Sequence, residues 1–323
     1  MKKRIIWLLA CALFVSFGLT AAIAADRVFV AIATGGTGGT YYPLGGMLAQ
    51  LLSNTVTIDG KKLSATAETS NASVANATLL GKGEIETAFV AADILDAGYK
   101  GIKQFEGKKM VNLRALGSLY PETVQMVVRT GANMNTFADI KGKSVSSGSP
   151  GSGQWQLLGD LLEAHGLTRA DVKEDYSSFA QSVEKIKDGN LDVSLITAGA
   201  PTASITELAN AHEIKILPLA GPGIDKLQAV QPYYAKIVLP ANTYKGQSTE
   251  VSTIAVRAIW ATHDKLDDEM AYQLTKALYE NTETLAKVHV MGKEITLKTA
   301  LESISIPLHP GAERFYKEKG MVK

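Results

Sequence analysis

The sequence predicts an α/β fold of two lobes with a ligand cleft between them. Two segments, residues 28–52 and 144–162, share one order of elements: a short strand, a turn rich in glycine or in glycine and serine, and a helix with a regular apolar face. Three further predicted strands, at residues 62–68, 84–90 and 191–196, also end in small or polar residues. Ligands of open α/β sheets lie beyond the carboxyl ends of the strands, so we expect these ends to face one cleft.

The first 24 residues have the three parts of a secretory signal peptide. Lys2, Lys3 and Arg4 precede an apolar segment, and Ala22-Ile23-Ala24 closes it as an A-x-A cleavage site. We therefore expect a periplasmic protein that does not itself span the membrane after cleavage. An uncleaved anchor is the alternative, although the apolar segment is at the short limit for a span.

The composition argues against several function classes. The chain has 33 Lys and Arg and 32 Asp and Glu, and the loss of three bases with residues 1–24 leaves 30 against 32. The sequence has no basic patch that would indicate binding to nucleic acid. The only cysteine, Cys11, lies in the signal segment, so we expect no disulfide and no thiol nucleophile in the exported chain. The five histidines lack metal-ligand spacing, and we predict no metal and no cofactor.

The first glycine turn, residues 35–39, predicts an anion-binding site. Its N–H groups precede a helix, whose dipole favours negative charge at its start. Two nucleotide motifs fail, since Tyr41 replaces the last glycine of G-x-G-x-x-G and no G-x-x-x-x-G-K-[S/T] occurs. The hydroxyls of Thr37, Thr40, Tyr41 and Tyr42 remain, and they suit a small carboxylate held without reaction. Tight turning of the chain is the simpler interpretation of the glycines.

The next elements follow the same periodicity. Ser70 or Asn71 can cap the helix that follows the second strand. Two strands are predicted at residues 113–119 and 124–129, with Pro121 at a crossing or bend between the lobes. Near the C-terminus, an amphipathic helix is predicted at residues 266–288, with core candidates Met270, Leu274, Leu278, Leu285 and Val288.

The repeat of one unit in two halves of the chain predicts the lobe boundaries. Residues 25–122 together with 254–323 would form lobe 1, and residues 123–253 would form lobe 2. A hinge between the lobes would make them a clamp around the ligand. A single large α/β domain would show the same periodicity.

Six blocks of sequence carry a family resemblance across nearly the whole exported chain. They are TGGTGGTYYPLG at 34–45, SPGSG at 149–153, the turn at Pro201, PYY at 232–234, LPANTY at 239–244 and PLHPGAE at 307–313. In this order they resemble the TAXI-type solute-binding proteins of tripartite TRAP transporters. The resemblance implies a type II periplasmic binding-protein fold and delivery of the ligand to TRAP membrane permease subunits. Ligands in that family include glutamate and dicarboxylates such as 2-oxoglutarate. Residues 70–73, SNAS, stand where many members of that family have a segment that begins with glycine and serine. This difference concerns the identity of the ligand more than the fold.

The resemblance also implies where the ligand binds. The implied contacts are Thr37, Gly39, Thr40, Tyr41, Tyr42, Ser70, Asn71, Ala91, Asp93, Ser149, Ser152, Gly153, Thr197, Gly199 and Pro201. The two glycine turns would hold carboxylate oxygens from opposite lobes, which couples binding to closure. Asp93 would either accept from an amino group of the ligand or cap the segment after it. One of Tyr41 and Tyr42 would cover the carbon chain of the ligand while the other packs in the core.

Two other functions share parts of this pattern. A periplasmic sensor for a membrane receptor would have the same fold and cleft and would differ in its partner. A secreted hydrolase is less favoured, because Ser182 and Lys185 satisfy S-x-x-K without the accompanying motifs and Ser152 does not lie in G-x-S-x-G. With nucleophile, base and oxyanion donor unassigned, we predict a protein that is not an enzyme. It is expected to be a monomer, since no heptad pattern is evident.

Overall fold

A computed structural model describes residues 27–129 and 131–323, so the predicted signal peptide and Cys11 lie outside the described residues. The fold is mixed α/β, as predicted. The described strands are β1 (Arg27–Ala33), β2 (Thr57–Ile58), β3 (Lys61–Glu68), β4 (Thr87–Ala91), β5 (Leu113–Arg129), β6 (Ser144–Ser146), β7 (Lys173–Asp175), β8 (Val193–Ala198), β9 (Ile214–Leu217), β10 (Ala235–Leu239) and β11 (Val251–His263). The described α-helices are α1 (Tyr41–Thr55), α2 (Ser73–Lys82), α3 (Ala92–Lys100), α4 (Gln154–Ala164), α5 (Phe179–Lys187), α6 (Ala203–Ala211), α7 (Pro222–Val230), α8 (Asp268–Tyr279), α9 (Glu283–Ala286) and α10 (Pro310–Glu318).

One sheet runs through the molecule, and β5 and β11 form its middle. The strand order is β2-β3-β1-β4-β11-β5-β8-β6-β7, with β10 also paired to β11 and β9 to β5. β1 pairs in parallel with β3 and β4, and β6 pairs in parallel with β7 and β8. β5 and β11 are antiparallel to each other. β11 also pairs with β4 of the first parallel group and with β10, and β5 also pairs with β8 of the second group and with β9. The sheet thus has two halves that share these two long strands.

β5 differs from its prediction as two strands, because it is one strand of 17 residues that includes Pro121. Pro121 lies opposite Arg257 of β11, and the register between the two strands shifts between Arg257 and Ile259. Such an irregularity accommodates a residue that has no N–H to donate to the ladder. The prediction of two separate strands is therefore wrong, because one strand continues through Pro121.

The predicted helix at residues 266–288 is two helices, α8 and α9. The side chain of Asp267 caps α8 by accepting a backbone N–H of its first turn. Beyond the end of α8, the side chain of Asn281 donates to the carbonyl of Ala277, a local bond that competes with continuation of the helix. Four of the five core candidates are buried. Val288 is 41% exposed because it lies beyond the end of α9.

Aromatic side chains fix the C-terminal helices to the central strand. Tyr279 of α8 and Tyr316 of α10 are buried, and their hydroxyls donate to the β5 carbonyls of Ser118 and Leu116, each over 2.8 Å. Phe315 packs between them, with ring centroids 5.4 Å from Tyr316. Buried tyrosine hydroxyls need such partners, so these bonds hold β5 in place against the helical layer.

Two adjacent glycines of α1, Gly45 and Gly46, provide a matched test of how closely this helix packs against the chain beside it. A Cβ at Gly45 would lie 2.4 Å from Cγ2 of Thr34, whereas a Cβ at Gly46 would meet nothing of the described chain within 4 Å. We predict that Gly45→Ala lowers the free energy of unfolding by about 1–3 kcal/mol through overpacking. Gly46→Ala should raise it by about 0.5–1 kcal/mol, because alanine lowers the entropy of the unfolded chain. Urea unfolding measures both values, and equal destabilisation by the two variants would contradict this packing.

Candidate functional site

A small cavity lies between the two halves of the sheet, among strand ends and helix starts. Its volume is about 60 Å³. That is room for about four to six water molecules, so an occupant of the present conformation would be small. Residues from both predicted lobes line it, including Gly36 and Thr40 on one side and Gly153 and Thr197 on the other.

The structure brings most of the predicted ligand residues to this region. Seven line the cavity: Gly39, Thr40, Tyr41, Ala91, Asp93, Gly153 and Thr197. Five line a groove that shares walls with the cavity: Thr37, Ser70, Asn71, Ser149 and Ser152.

Three of the predicted ligand residues, Tyr42, Gly199 and Pro201, lie outside both spaces in the described structure. Tyr42 is 37% exposed, because successive helical residues point about 100° apart and Tyr41 takes the inward direction. Gly199 contributes its carbonyl to a hydrogen bond from the hydroxyl of Thr40. The carbonyl of Pro201 bonds the ring of His289.

Four helices begin at the cavity. Their N-cap residues all line it, and within the described chain none of the four makes a side-chain cap: Thr40 for α1, Ala72 for α2, Ala91 for α3 and Gly153 for α4. The first N–H groups of a helix have no partner inside the helix, and the helix dipole adds partial positive charge there. Four such ends around one cavity can hold a carboxylate or another anion.

The predicted capping of α2 by Ser70 or Asn71 is wrong. Ala72 is the N-cap residue, with a positive φ of 67°. The hydroxyl of Ser70 instead accepts the N–H of Ala72 and lies 2.6 Å from Oδ1 of Asn76. These bonds hold the loop before α2 while leaving the helix start directed at the cavity.

Two carboxyl groups also face the cavity, Asp93 from α3 and Glu122 from β5. The hydroxyl of Tyr41 donates to Oε2 of Glu122 over 2.8 Å. The hydroxyl of Tyr234 donates to Oδ2 of Asp93, also over 2.8 Å. The other oxygen of Asp93, Oδ1, is buried without a hydrogen-bond partner in the described part of the chain. Lys, Arg and His are absent from the described residues that line the cavity.

Burial favours the neutral form of these carboxyls. Glu122 is 5% exposed, and burial raises its pKa to about 8; the bond from Tyr41 lowers the pKa, and the charge of Asp93 raises it. Burial also raises the pKa of Asp93, against the opposing effect of the bonds from Tyr234 and from the N–H of Ile94. In the described conformation, burial therefore favours the protonated form of Glu122.

Sequence reasoning missed several residues of the cavity. Glu122 is an acidic residue in a long apolar strand, and that contrast was the available signal. Tyr234 lies in the PYY block but was given no role. Gln154, at the start of α4, is 7% exposed, and its Oε1 is buried without a partner in the described residues. Ser73 and Phe179 also line the cavity; Ser73 lies in the SNAS segment but was given no role, and no pattern marked Phe179.

Hydrogen bonds across the cleft join its two sides. The hydroxyl of Thr40 donates to the carbonyl of Gly199 over 3.1 Å. The N–H of Ser204 donates to the carbonyl of Gly38 over 3.2 Å, and the N–H of Ala75 donates to a carbonyl of the second glycine turn over 3.0 Å. These bonds connect the elements around α1 and α2 with those around α4 and β8, so the described conformation is closed.

The structure gives no support to the S-x-x-K alternative. Lys185 forms an ion pair with Asp175, and Ser182 shares a hydrogen bond of 2.7 Å with Ser194. Across residues 27–129 and 131–323, no group of three or more potential ligand side chains is arranged to hold a metal ion. Over the same ranges, no helix has the length and apolar character needed to cross a membrane.

Comparisons with known proteins agree with the fold. A family model described as the NMT1-like family matches residues 32–320. The alkanesulfonate-binding protein SsuA from Xanthomonas axonopodis pv. citri, bound to MOPS, is similar in structure, with a TM-score of 0.51, 15% identity, and coverage of 92% of this chain and 94% of that chain. PhnD1 from Prochlorococcus marinus, in complex with methylphosphonate, gives a TM-score of 0.55, 9% identity, and coverage of 92% and 99%. The predicted fold class, a type II periplasmic binding-protein fold, is confirmed.

The raised pKa of Glu122 predicts that stability depends on pH. An acid whose pKa is higher in the folded state binds more protons there than in the unfolded state, so its contribution to stability falls as pH rises from about 4.5 to about 8. Over that range the unliganded protein should lose about 4 kcal/mol of unfolding free energy through this group, and Glu122→Gln should remove that loss. Urea unfolding at several pH values measures it, with the exposed Glu250→Gln as control. Identical pH profiles for the wild type and Glu122→Gln would contradict the assignment.

Proposed function

Because the chain belongs to the NMT1-like family, we propose that it is an exported solute-binding protein that holds a small solute in its cavity and delivers it to the membrane permease of an import system. The observation that carries the proposal is the closed cavity between two halves of one sheet, with four helix starts directed at it. Similar structures support it, since one is named an alkanesulfonate-binding protein and another holds methylphosphonate. The proposed role requires no chemical step, so the protein is not an enzyme.

The proposed solute is a small carboxylate, such as glutamate or 2-oxoglutarate. Its support is the set of uncapped helix N-termini, whose N–H groups suit carboxylate oxygens. The N–H groups near Thr40 belong to one side of the cleft, and those near Gly153 to the other. A carboxylate that contacts both sides would stabilise the closed form relative to an open one, because only the closed form brings both sets of donors together.

The proposed lobes are residues 25–122 with 254–323, and residues 123–253. β5 and β11 would be the two connections between them, since each pairs with strands on both sides of the cleft. Opening would break few contacts in the sheet, because the bonds across the cleft come from turns and helix starts. A hinge of this kind lets the solute enter and leave.

The proposed setting is the periplasm, after cleavage of residues 1–24. The proposed partners are the membrane permease subunits of a TRAP transporter, and the protein would be a TAXI-type subunit. Support comes from the six sequence blocks, of which the glycine turns at 34–45 and 149–153 contribute to the walls of the cavity or its adjoining groove.

Thermal unfolding tests solute binding directly. A solute at a hundred times its dissociation constant should stabilise the protein by about 2.7 kcal/mol, because it binds the folded state only. The panel contains amino acids, dicarboxylates, oxoacids and sugars. We expect a carboxylate to raise the melting temperature and a sugar to leave it unchanged.

Thr40→Ala tests whether closure depends on the bond to the carbonyl of Gly199. Loss of this hydroxyl should weaken solute binding by about 1 kcal/mol, roughly fivefold, since a typical hydrogen bond has that value. The matched control is Thr249→Ala at an exposed position outside the cavity. Equal affinity of wild type and Thr40→Ala, or an equal loss in the control, would contradict the proposed role of the cavity.

A further inference from the structure

A charged contact crosses the cleft outside the cavity. The amine of Lys103, which follows α3, lies 3.0 Å from Oδ2 of Asp160 on α4. Lys103 belongs to proposed lobe 1 and Asp160 to proposed lobe 2, and neither residue lines the cavity or its adjoining groove. The two side chains are 30% and 16% exposed, so water screens the pair only in part. This contact therefore joins the two sides at a place that a solute in the cavity does not touch.

The carboxylate of Asp160 is oriented for this contact by its own side of the cleft. The side-chain amide of Gln156, one turn earlier in α4, donates to Oδ1 over 2.8 Å. The buried amide of Gln231, which follows α7, donates to Oδ2 over 2.9 Å. Both glutamines lie in proposed lobe 2. Two donors of one lobe thus hold the carboxylate in place, and the amine that pairs with it comes from the other lobe.

The backbone of Lys103 adopts a conformation that lysine rarely takes. Its φ is 53°, in the left-handed region, and it begins a single 3-10 turn, Lys103–Phe105. A Cβ raises the free energy of this conformation, which glycine and asparagine adopt more readily. The contact with Asp160 is an interaction that lysine supplies here and that glycine or asparagine would not. Lysine at this position is therefore explained by what its amine contacts and not by its backbone.

We propose that Lys103 and Asp160 form an electrostatic latch, which stabilises the closed form whether or not a solute is bound. The proposal rests on the proposed function, since it requires two lobes that open and close. Thr40, which also bonds across the cleft, lines the cavity, so a solute can affect its bond directly. The latch lies away from the cavity walls and acts on closure alone.

Electrostatics confines the effect of the latch to the closed form. When the lobes separate, water solvates the amine of Lys103 and the carboxylate of Asp160, and their attraction falls steeply with distance in water. The pair therefore raises the fraction of unliganded protein that is closed. The apparent affinity for a solute rises with that fraction, because more of the free protein already has the conformation that holds the solute. Two residues that never contact the solute thus contribute to its binding.

Pulsed electron paramagnetic resonance tests the latch in the unliganded protein. Spin labels at Lys62→Cys and Lys173→Cys place one probe at an exposed position of each proposed lobe. The chain also carries Cys11→Ala, so that no other cysteine is labelled. The distances between the labels give the ratio of closed to open forms. We expect Lys103→Asn to lower that ratio about two- to fivefold, the effect of losing one partly exposed ion pair.

The control variant removes the same charge from an ion pair within one lobe. Lys141 and Asp171 are also 3.0 Å apart and both lie in proposed lobe 2, so Lys141→Asn should leave the ratio unchanged. Asp160→Asn should act as Lys103→Asn does, and the double variant should lower the ratio no further than the more affected single variant. A ratio unchanged in Lys103→Asn, an equal change in the control, or additive effects in the double variant would overturn the proposal.

Added solute distinguishes failure of the latch from failure of the proposed function. The probes are L-glutamate and 2-oxoglutarate, each in excess over the labelled wild type and over Lys103→Asn. Equal ratios in the two unliganded proteins, with a shift to the closed form when a probe is added, would refute the latch and leave solute binding intact. Ratios that differ as predicted, with no response to either probe, would support the latch and contradict the proposed solutes. One unchanging distance in every sample would refute both the latch and the clamp.

Discussion

Four helix N-termini with no side-chain caps in the described structure surround one cavity, and the backbone N–H groups of their first turns set the character of the site. Relative to Ser, Asp or Asn at the N-cap, alanine costs about 1 kcal/mol and glycine a few tenths, so Ala72, Ala91 and Gly153 together forgo about 2 kcal/mol. A bound solute can return that stabilisation only in the closed form. The missing caps therefore link the stability of the protein to occupancy of its cavity, and Ala72, Ala91 and Gly153 fit this role because they have no side-chain acceptor that could cap the helix.

The sheet fixes the positions of these helix starts relative to one another. β5 and β11 pass through both halves, and Glu122 lies on β5 close to the point at which its pairing changes from β11 to β8. The carboxyl is thereby fixed at the base of the cleft, where the two sides meet. On one half, the hydroxyls of Tyr279 and Tyr316 anchor β5 to the C-terminal helices. Movement of the other half would change the cavity while the base of the site stays in place.

Local patterns predicted the fold class, and seven of the predicted ligand residues line the cavity, because strands, glycine turns and helices leave periodic signals within short segments. Thr40, Asp93 and Gly153 were accessible to such reasoning, since each follows a strand or a turn. Glu122 and Tyr234 were not, because their positions depend on pairing between distant strands, and Tyr234 meets Asp93 from 141 residues away. The prediction of two strands on either side of Pro121 failed for a related reason. The irregular pairing near this proline involves β11, and the sequence around Pro121 carries no signal of it.

The most direct measurement of the central claim is a crystal structure of the protein with the solute that stabilises it. We predict difference density inside the cavity, with carboxylate oxygens on the N–H groups at the starts of α1 and α4. A solute that lies outside the cavity would contradict the proposed function.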